Sequence, residues 1–388
     1  MRVALLCMLA VGGCSNAPAM SSDLGPMCGA SALRPPGRKD VDAVVVPATR
    51  QVIVYGGDQA PFDPTGTPPK SLIDDVWRFD LACGTWEKLS VTGTAGPRAG
   101  YAAAFDSRRN RMIIMGGNAG TGATPPLTAD VWALDVTTLA WTQLQPAGTA
   151  PSTRIGHRMT YDAAGDRVLL FGGTKSRLNG PALGDLQSLA FAAGPDGAWS
   201  QLTAAGAAGA PTRRYDVSMD VDPKRGLLVL FGGALSFDVY SDEVWAFDLA
   251  SGAWRLVPAA GGALPSQRFG GKGGWDPARD KLWMFGGHDG GALGLLNDTW
   301  TLALDGGGTV ATFSQVLGGD TALVVGGADP ASPERRSKGA VVLEGNTLFS
   351  FAGGGDCGPL DDTATLDLAA PTAWKAVFNA QVGETCFR

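Results

Sequence analysis

The chain of 388 residues predicts an all-β fold, a six-bladed β-propeller of four-stranded antiparallel blades. Three observations lead to this fold. An apolar run ending in two glycines occurs six times, an arginine stands 18 residues before the first glycine of each pair, and an acidic residue opens a later short strand. Because the offset is constant while the repeat length varies, each copy is a rigid unit joined to the next by variable loops.

The six copies are located by their first glycines, which are Gly56, Gly116, Gly172, Gly232, Gly286 and Gly353. The arginines upstream are Arg38, Arg98, Arg154, Arg214, Arg268 and Arg335. The acidic residues are Asp75, Asp130, Asp185, Glu243, Asp298 and Asp362. A second aromatic residue follows at Trp86, Trp141, Trp199, Trp254, Phe313 and Trp374. Each copy therefore contains four short strands separated by Gly, Pro, Asp and Ser turns.

The second strand of each copy predicts how the copies pack. In Leu227–Phe231 every residue is apolar, which is typical of a strand covered on both faces. A small antiparallel sheet is covered in this way when it stacks between two copies of itself, so the six copies should close into one ring. The large aromatic residues would fill the wedge between neighbouring sheets.

Three copies depart from the pattern. Copies one, two, four and five have a tryptophan two residues after the acidic residue, whereas copy three has Gln187 and copy six has Ala364 at that position. Copy five has Phe313 where the other copies have their later tryptophan. These departures leave the count of six blades unchanged.

The repeated elements resemble the kelch repeat of β-propellers. The resemblance rests on the arginine, the apolar strand with Gly-Gly, the sequence Asp-Val-Trp-x-Phe-Asp and the later tryptophan. It is clearest in residues 38–89, 98–144 and 214–256, and it extends from residue 38 to about residue 378. It implies the same six-bladed propeller that the strand pattern predicts.

The N-terminus is typical of an export signal. Residues 3–11 are apolar, and Val11-Gly12-Gly13-Cys14 resembles a bacterial lipobox, in which the cysteine is lipidated. An ordinary signal peptide cleaved nearby and a misplaced start codon are the alternatives. We therefore expect a signal peptide at 1–14, a flexible tether at 15–36 and the propeller at 37–388.

Composition restricts the partners. The chain has 31 Lys+Arg and 37 Asp+Glu, a net charge of −6, which argues against nucleic acid. No later apolar run reaches the roughly 18 residues of a membrane helix, so we expect membrane attachment only through the lipid. His157 and His288 are the two histidines. We expect no metal, no cofactor and a monomer.

The repeated arginines have two interpretations. They open the first strand of each copy, which should be innermost, so Arg98, Arg154, Arg214 and Arg268 would form an anion-binding rim at one mouth of the channel. Alternatively, each arginine pairs with the acidic residue of its own copy and fixes adjacent strands.

The loops between the second and third strands vary most and should share one face, where binding usually occurs. Phe62, Phe237 and Tyr240 are predicted anchors for a protein or a glycan, unless they pack back onto the blades. His288 beside Asp289 suggests a general base or a metal ligand, with an ordinary loop histidine as the alternative.

Four cysteines remain if Cys7 is removed with the signal and Cys14 is lipidated: Cys28, Cys83, Cys357 and Cys386. An even number in an oxidising compartment predicts two disulfides, with three possible connectivities. Cys357 and Cys386 should lie on the same face of blade six, which favours their pairing and leaves Cys28 with Cys83.

These features predict a lipid-anchored binding module in the bacterial cell envelope, periplasmic or surface-exposed. Its partner would be a protein or a carbohydrate held across the loop face. The alternative is a periplasmic enzyme similar to sugar mutarotases or epimerases built on kelch-like propellers, although no residue can be assigned as its acid or base. A copper oxidase similar to galactose oxidase is disfavoured, because the two histidines belong to different copies.

Overall fold

A computed structural model describes residues 33–61, 70–121, 124–176, 180–291, 294–321, 331–356 and 358–379. These residues form six antiparallel blades, which confirms the predicted all-β, six-bladed propeller. The expected signal peptide and most of the expected tether lie outside the described residues. Within the described part of the chain, no helix is long and apolar enough to cross a membrane.

Each blade consists of four strands that follow one another in the chain. The first strands are Ala43–Val46, Ala102–Asp106, Arg158–Asp162, Ser218–Asp222, Lys272–Asp276 and Ala340–Glu344. The second strands are Gln51–Asp58, Arg111–Met115, Arg167–Phe171, Leu227–Phe231, Lys281–His288 and Thr347–Gly355. The third strands are Leu72–Asp80, Val131–Asp135, Leu186–Ala190, Val244–Asp248, Leu295–Leu304 and Gly358–Asp367. The fourth strands are Thr85–Leu89, Ala140–Leu144, Ala198–Thr203, Trp254–Val257, Ala311–Leu317 and Lys375–Phe378.

Within each blade the strands pair in chain order, from the first to the fourth. The first strands of neighbouring blades contact each other all the way round the ring, so they surround the central channel. Blade three has an additional outer strand, Ala147–Gly148, which runs parallel to its fourth strand. Two short antiparallel pairs lie outside the blades: Arg98–Ala99 with Asn118–Ala119, and the hairpin of Ala234–Ser236 with Val239–Tyr240.

The apolar cores lie between neighbouring blades. All five residues of Leu227–Phe231 are buried, as expected for a strand covered on both faces. On one side the ring of Phe231 lies 5.2 Å from that of Phe313, so the phenylalanine of blade five fills the same wedge as the tryptophans of other blades. Rigid blades packed in this way leave the connecting loops free to differ.

The ring closes where blade one packs against blade six. Trp86 of blade one lies 4.7 Å from the ring of Phe351, and its indole Nε1 donates a hydrogen bond of 3.0 Å to Thr363 Oγ1. The backbone N–H of Arg38 also donates to the carbonyl of Leu360, at 2.9 Å. Blade six takes its four described strands from residues 340–378. Closure therefore depends on contacts between blade faces and between their connecting segments.

Candidate functional site

The repeated arginines are buried and paired inside the blades. Arg98 donates through Nη1 to the carbonyl of Gly116 at 2.8 Å, and through both Nη atoms to the carboxylate of Asp130, each at 2.8 Å. The equivalent pairs are Arg38–Asp75, Arg154–Asp185, Arg214–Glu243 and Arg268–Asp298. This arrangement agrees with the ion-pair interpretation. It does not display Arg98, Arg154, Arg214 or Arg268 as an open anion-binding rim, because all four are buried.

Five of the repeated arginines also hold the preceding blade through their backbone carbonyls. The N–H of Gly233 in blade four donates to the carbonyl of Arg268 in blade five at 2.8 Å. A Cβ atom at Gly232 would lie 2.6 Å from the same carbonyl oxygen, and the φ of Gly232 is 70°. Glycine therefore fits here for two reasons, the left-handed backbone and the close approach of the next blade.

Blade six corrects one assignment. The sequence offset pointed to Arg335, but the residue that occupies the repeated position is Arg336. Its Nη1 donates to the carbonyl of Ala352 at 3.0 Å and to Asp362 Oδ1 at 2.8 Å. Ala352 has a φ of 60° and takes the place of the first glycine, so Gly353 is the second residue of the pair. Arg335 is buried beside Asp356 and Asp320 instead.

Asp130 of blade two is held in the charged form. The indole Nε1 of Trp132 donates to Asp130 at 2.7 Å, in addition to the two bonds from Arg98. Burial alone would raise the pKa of Asp130, but the hydrogen bonds and the charge of Arg98 outweigh it and lower the pKa to about 2. The pair is thus a structural element that persists at neutral pH.

A belt of backbone hydrogen bonds narrows the channel at the end where the arginines lie, which we call the loop face. It joins the residues two positions after each arginine: Asp40, Gly100, Gly156, Asp216, Gly270 and Lys338. Five of them donate to their counterpart in the preceding blade, as Gly100 does to Asp40 at 2.7 Å. Blade one completes the circle through the N–H of Val41, next to Asp40, which donates to Lys338 at 3.3 Å. The cavity at the belt has a volume of about 20 Å³, roughly the space of one water molecule.

Beyond the belt, three charged side chains from alternate blades meet in the channel. Arg158 donates through Nη1 to both oxygens of Asp42 at 3.2 Å, and Lys272 donates to Asp42 Oδ1 at 3.1 Å. Burial raises the pKa of Asp42, but the charges of Lys272 and Arg158 lower it overall. Burial lowers the pKa of Lys272 despite the attraction of Asp42. A cavity of about 320 Å³ lies next to this triad and reaches Pro47, Ser107 and Ala163, in the turns between first and second strands.

This triad was not predicted from the sequence, although the sequence carries a signal for it. Asp42, Arg158 and Lys272 each lie four residues after the arginine of their blade. The same position holds Ala102, Ser218 and Ala340 in the other three blades. Alignment of the six copies on the structural arginines would have revealed three charges among three small residues at one level of the channel.

The predicted loop residues of blades four and five come together on the loop face. The ring of Tyr240 lies 5.8 Å from that of His288, and both contact Phe269, at 4.9 and 5.2 Å. Tyr240 is buried, whereas Phe237 and Val239 at the tip of the same hairpin are 64% and 49% exposed. Tyr240 therefore packs back, and Phe237 remains available as an anchor. Phe62 lies outside the described residues.

His288 and Asp289 are engaged within their own loop. The Nδ1 atom of His288 accepts a hydrogen bond of 3.2 Å from the N–H of Gly290, and Asp289 Oδ1 accepts one of 2.8 Å from Gly291. Burial, followed by the charge of Lys338, lowers the pKa of His288. Among the residues that the structure describes, no three His, Cys, Asp or Glu side chains form a group suited to a metal ion. The contacts match an ordinary loop histidine.

Of the cysteines with a predicted role, Cys83 is the one that lies within the described residues. Cys83 is disulfide-bonded and lies in the turn between the third and fourth strands of blade one. Cys14, Cys28, Cys357 and Cys386 lie outside the described residues. The lipidation site and the two disulfide pairings therefore stay predictions.

Three features define the class of this protein: the buried arginine–acid pairs, which we call the arginine nodes, the diglycine turns and the four-stranded blades. A family model described as the KLHDC2/KLHL20/DRC7 Kelch-repeats domain matches residues 27–206 and 160–384. These two matches cover most of the chain, so the chain belongs to the kelch-repeat family.

Several curated proteins are similar to this chain. Tip elongation aberrant protein 1 of Schizosaccharomyces pombe is 28% identical over 57% of this chain and 18% of its own length. Kelch domain-containing protein 10 of Rattus norvegicus is 24% identical over 70% of this chain and 64% of its own length. Acyl-CoA-binding domain-containing protein 5 of Arabidopsis thaliana is 30% identical over 28% of this chain and 15% of its own length. The chain spans less than two thirds of each of these relatives.

The Arg98–Asp130 pair predicts a pH-dependent stability. The pKa of Asp130 is lowered to about 2, so the pair stabilises the fold above about pH 4, and its contribution is lost as the pH falls towards 2. Asp130→Asn should remove this part of the acid dependence, and Arg98→Gln should destabilise the protein by about 2 kcal/mol at pH 7 because it leaves a half-buried carboxylate without its main partner. The melting temperature of the three proteins between pH 7 and pH 2 measures both effects. An Arg98→Gln variant that melts like the wild type but loses sulfate binding would favour the anion-binding rim instead.

Proposed function

We propose that this kelch propeller is a protein-binding module that uses the loop face of blades four and five. Kelch propellers generally mediate protein interactions, and the observation that carries the proposal is the apolar tip formed by Phe237 and Val239. Large exposed apolar side chains on a surface are typical of contact sites.

The tip is supported by a rigid base. Ala234 donates to and accepts from the backbone of Tyr215, at 2.9 and 3.0 Å, and the hydroxyl of Tyr240 lies 3.3 Å from Asp238 Oδ1. The ring of Tyr240 also packs against that of Phe269, at 4.9 Å and a tilt of 40°, which holds the base of the hairpin. An anchor held in place before binding loses little conformational entropy when a partner is bound, which favours affinity.

The proposed location is the bacterial cell envelope, with the propeller outside the cytoplasm and anchored by lipid at Cys14. Support comes from the sequence of residues 1–14, in which a short apolar run precedes Val-Gly-Gly-Cys. The enzyme alternative is not proposed, because His288 and Asp289, which suggested a general base, are engaged in hydrogen bonds of their own loop.

Phe237→Ser should weaken partner binding at least tenfold, or about 1.4 kcal/mol, because it removes the most exposed apolar anchor of the hairpin. Leu256→Ser is a matched control, since Leu256 is 53% exposed but lies on the fourth strand of blade four. Proteins captured from envelope extract by the wild type would be purified and titrated against all three forms. A partner that binds Phe237→Ser as tightly as the wild type would contradict this surface.

Cys14→Ala should move the protein from the membrane to the soluble fraction and abolish labelling by an alkyne fatty acid, because it removes the thiol that receives the lipid. Cys7→Ala, within the same signal, should leave both properties unchanged. Fractionation and fatty-acid labelling in a bacterial host that processes lipoproteins measure the two outcomes. Equal labelling of the Cys14→Ala and wild-type proteins would rule out the anchor.

A further inference from the structure

Blade three lacks the tryptophan that other blades place on their acidic residue. In blades one, two, four and five the indole Nε1 donates to the acid: Trp77 to Asp75, Trp132 to Asp130, Trp245 to Glu243 and Trp300 to Asp298. In blade three the amide Nε2 of Gln187 donates to Asp185 Oδ2, at 2.8 Å. Glutamine thus preserves the hydrogen bond but not the volume of the indole ring.

A cleft of about 530 Å³ lies beside Gln187. One wall is the connection from blade two, residues 149–152, and the other is formed by the fourth strand of blade three, including Trp199 and Gln201. The floor contains Leu183 and the Arg154–Asp185 pair. This volume falls within the roughly 300–1,000 Å³ of small-molecule sites.

The charges of the cleft are already compensated. Asp185 accepts bonds of 3.0 and 2.9 Å from the two Nη atoms of Arg154. Burial raises the pKa of Asp185, but the hydrogen bonds and charge of Arg154 lower it overall, so the pair stays ionised and mutually neutralised. The Arg154–Asp185 pair therefore offers no uncompensated charge to a cation or an anion.

The remaining polar groups are neutral and include both donors and acceptors. Gln187 and Gln201 contribute two amides, with 3.3 Å between Gln187 Nε2 and Gln201 Oε1, and Ser152 and Ser200 contribute hydroxyls. The side chains of Ser152, Ser200 and Gln201 are exposed. Ser152 Oγ accepts a hydrogen bond of 3.4 Å from Arg154 Nη2, and Gln201 Oε1 accepts the one from Gln187, so the two serine hydroxyls and the Gln201 Nε2 group remain as donors for a ligand. Gln187 and Trp199 are buried, so the accessible groups of the cleft are neutral hydroxyls and an amide, which match an uncharged ligand that carries many hydroxyl groups.

We propose that this cleft binds a neutral saccharide unit. The hydroxyls of the sugar exchange hydrogen bonds with Gln201, Ser152 and Ser200, and its ring occupies the cleft beside Gln187. The site is separate from the blade four hairpin, so this inference does not depend on the proposed protein-binding surface.

The test restores the residue that the repeat has elsewhere. Gln187→Trp should fill the cleft, retain the bond to Asp185 and leave the melting temperature unchanged or higher. Saturation-transfer NMR of the full chain with glucose, galactose, mannose, N-acetylglucosamine and their β-linked disaccharides measures binding, and N-acetylneuraminate is the charged comparison. We expect a signal from at least one neutral sugar, loss of at least tenfold in affinity in Gln187→Trp, and no change in Phe237→Ser.

Two results would overturn the inference: no neutral sugar in the panel gives saturation transfer with the wild type, or a folded Gln187→Trp variant binds it as well as the wild type. If Gln187→Trp fails to fold, Gln201→Ala and Ser152→Ala decide, because both side chains are exposed and neither is part of the core. Unchanged sugar binding in both of these variants would also contradict the proposal.

Discussion

One buried arginine per blade connects the parts of this propeller. Its guanidinium holds the glycine turn and the acidic residue of its own blade, while its backbone carbonyl accepts a hydrogen bond from the glycine of the preceding blade. A buried guanidinium is unfavourable unless its donors are used, and here a carboxylate and a carbonyl use them. In five blades the carbonyl of the next arginine lies within 3.0 Å of where a Cβ atom on the first glycine would be, whereas blade six has Ala352 at this position.

Because the arginine nodes fix the blades, the differences between blades are concentrated in loops and clefts that the nodes do not constrain. The hairpin of blade four carries exposed Phe237 on a base held by Tyr215 and Phe269. Blade three retains the arginine and the acid but has glutamine in place of tryptophan, which coincides with a cleft. In both places the backbone follows the repeat, and the side chains it carries differ from those of the other blades. Propellers acquire distinct binding surfaces in this way.

The fold was predictable from sequence because it repeats. The same pattern of strands, turns and ion-pair residues occurs in six copies, so each copy supports the prediction for the others. In blade six the constant offset of 18 residues pointed to the wrong arginine. Arg335 and Arg336 are adjacent, and only the hydrogen bond to Ala352 identifies Arg336 as the one that holds the turn. The contact of Tyr240 with His288 joins loops of two blades, and loop conformation has no periodic signal in sequence. The substitution at Gln187 was visible in the sequence, but the cleft beside it depends on how the connection from blade two packs.

The most direct test of the arginine nodes is hydrogen–deuterium exchange, followed by mass spectrometry, of the wild type and Arg214→Gln. If Arg214 joins two blades, exchange should accelerate at Gly232-Gly233 in its own blade and also at Gly173 in blade three, whose N–H donates to the Arg214 carbonyl at 3.0 Å. The glycine turn of blade one, which has no bond to Arg214, should keep its protection. Faster exchange confined to blade four, or no change in either blade, would contradict the account.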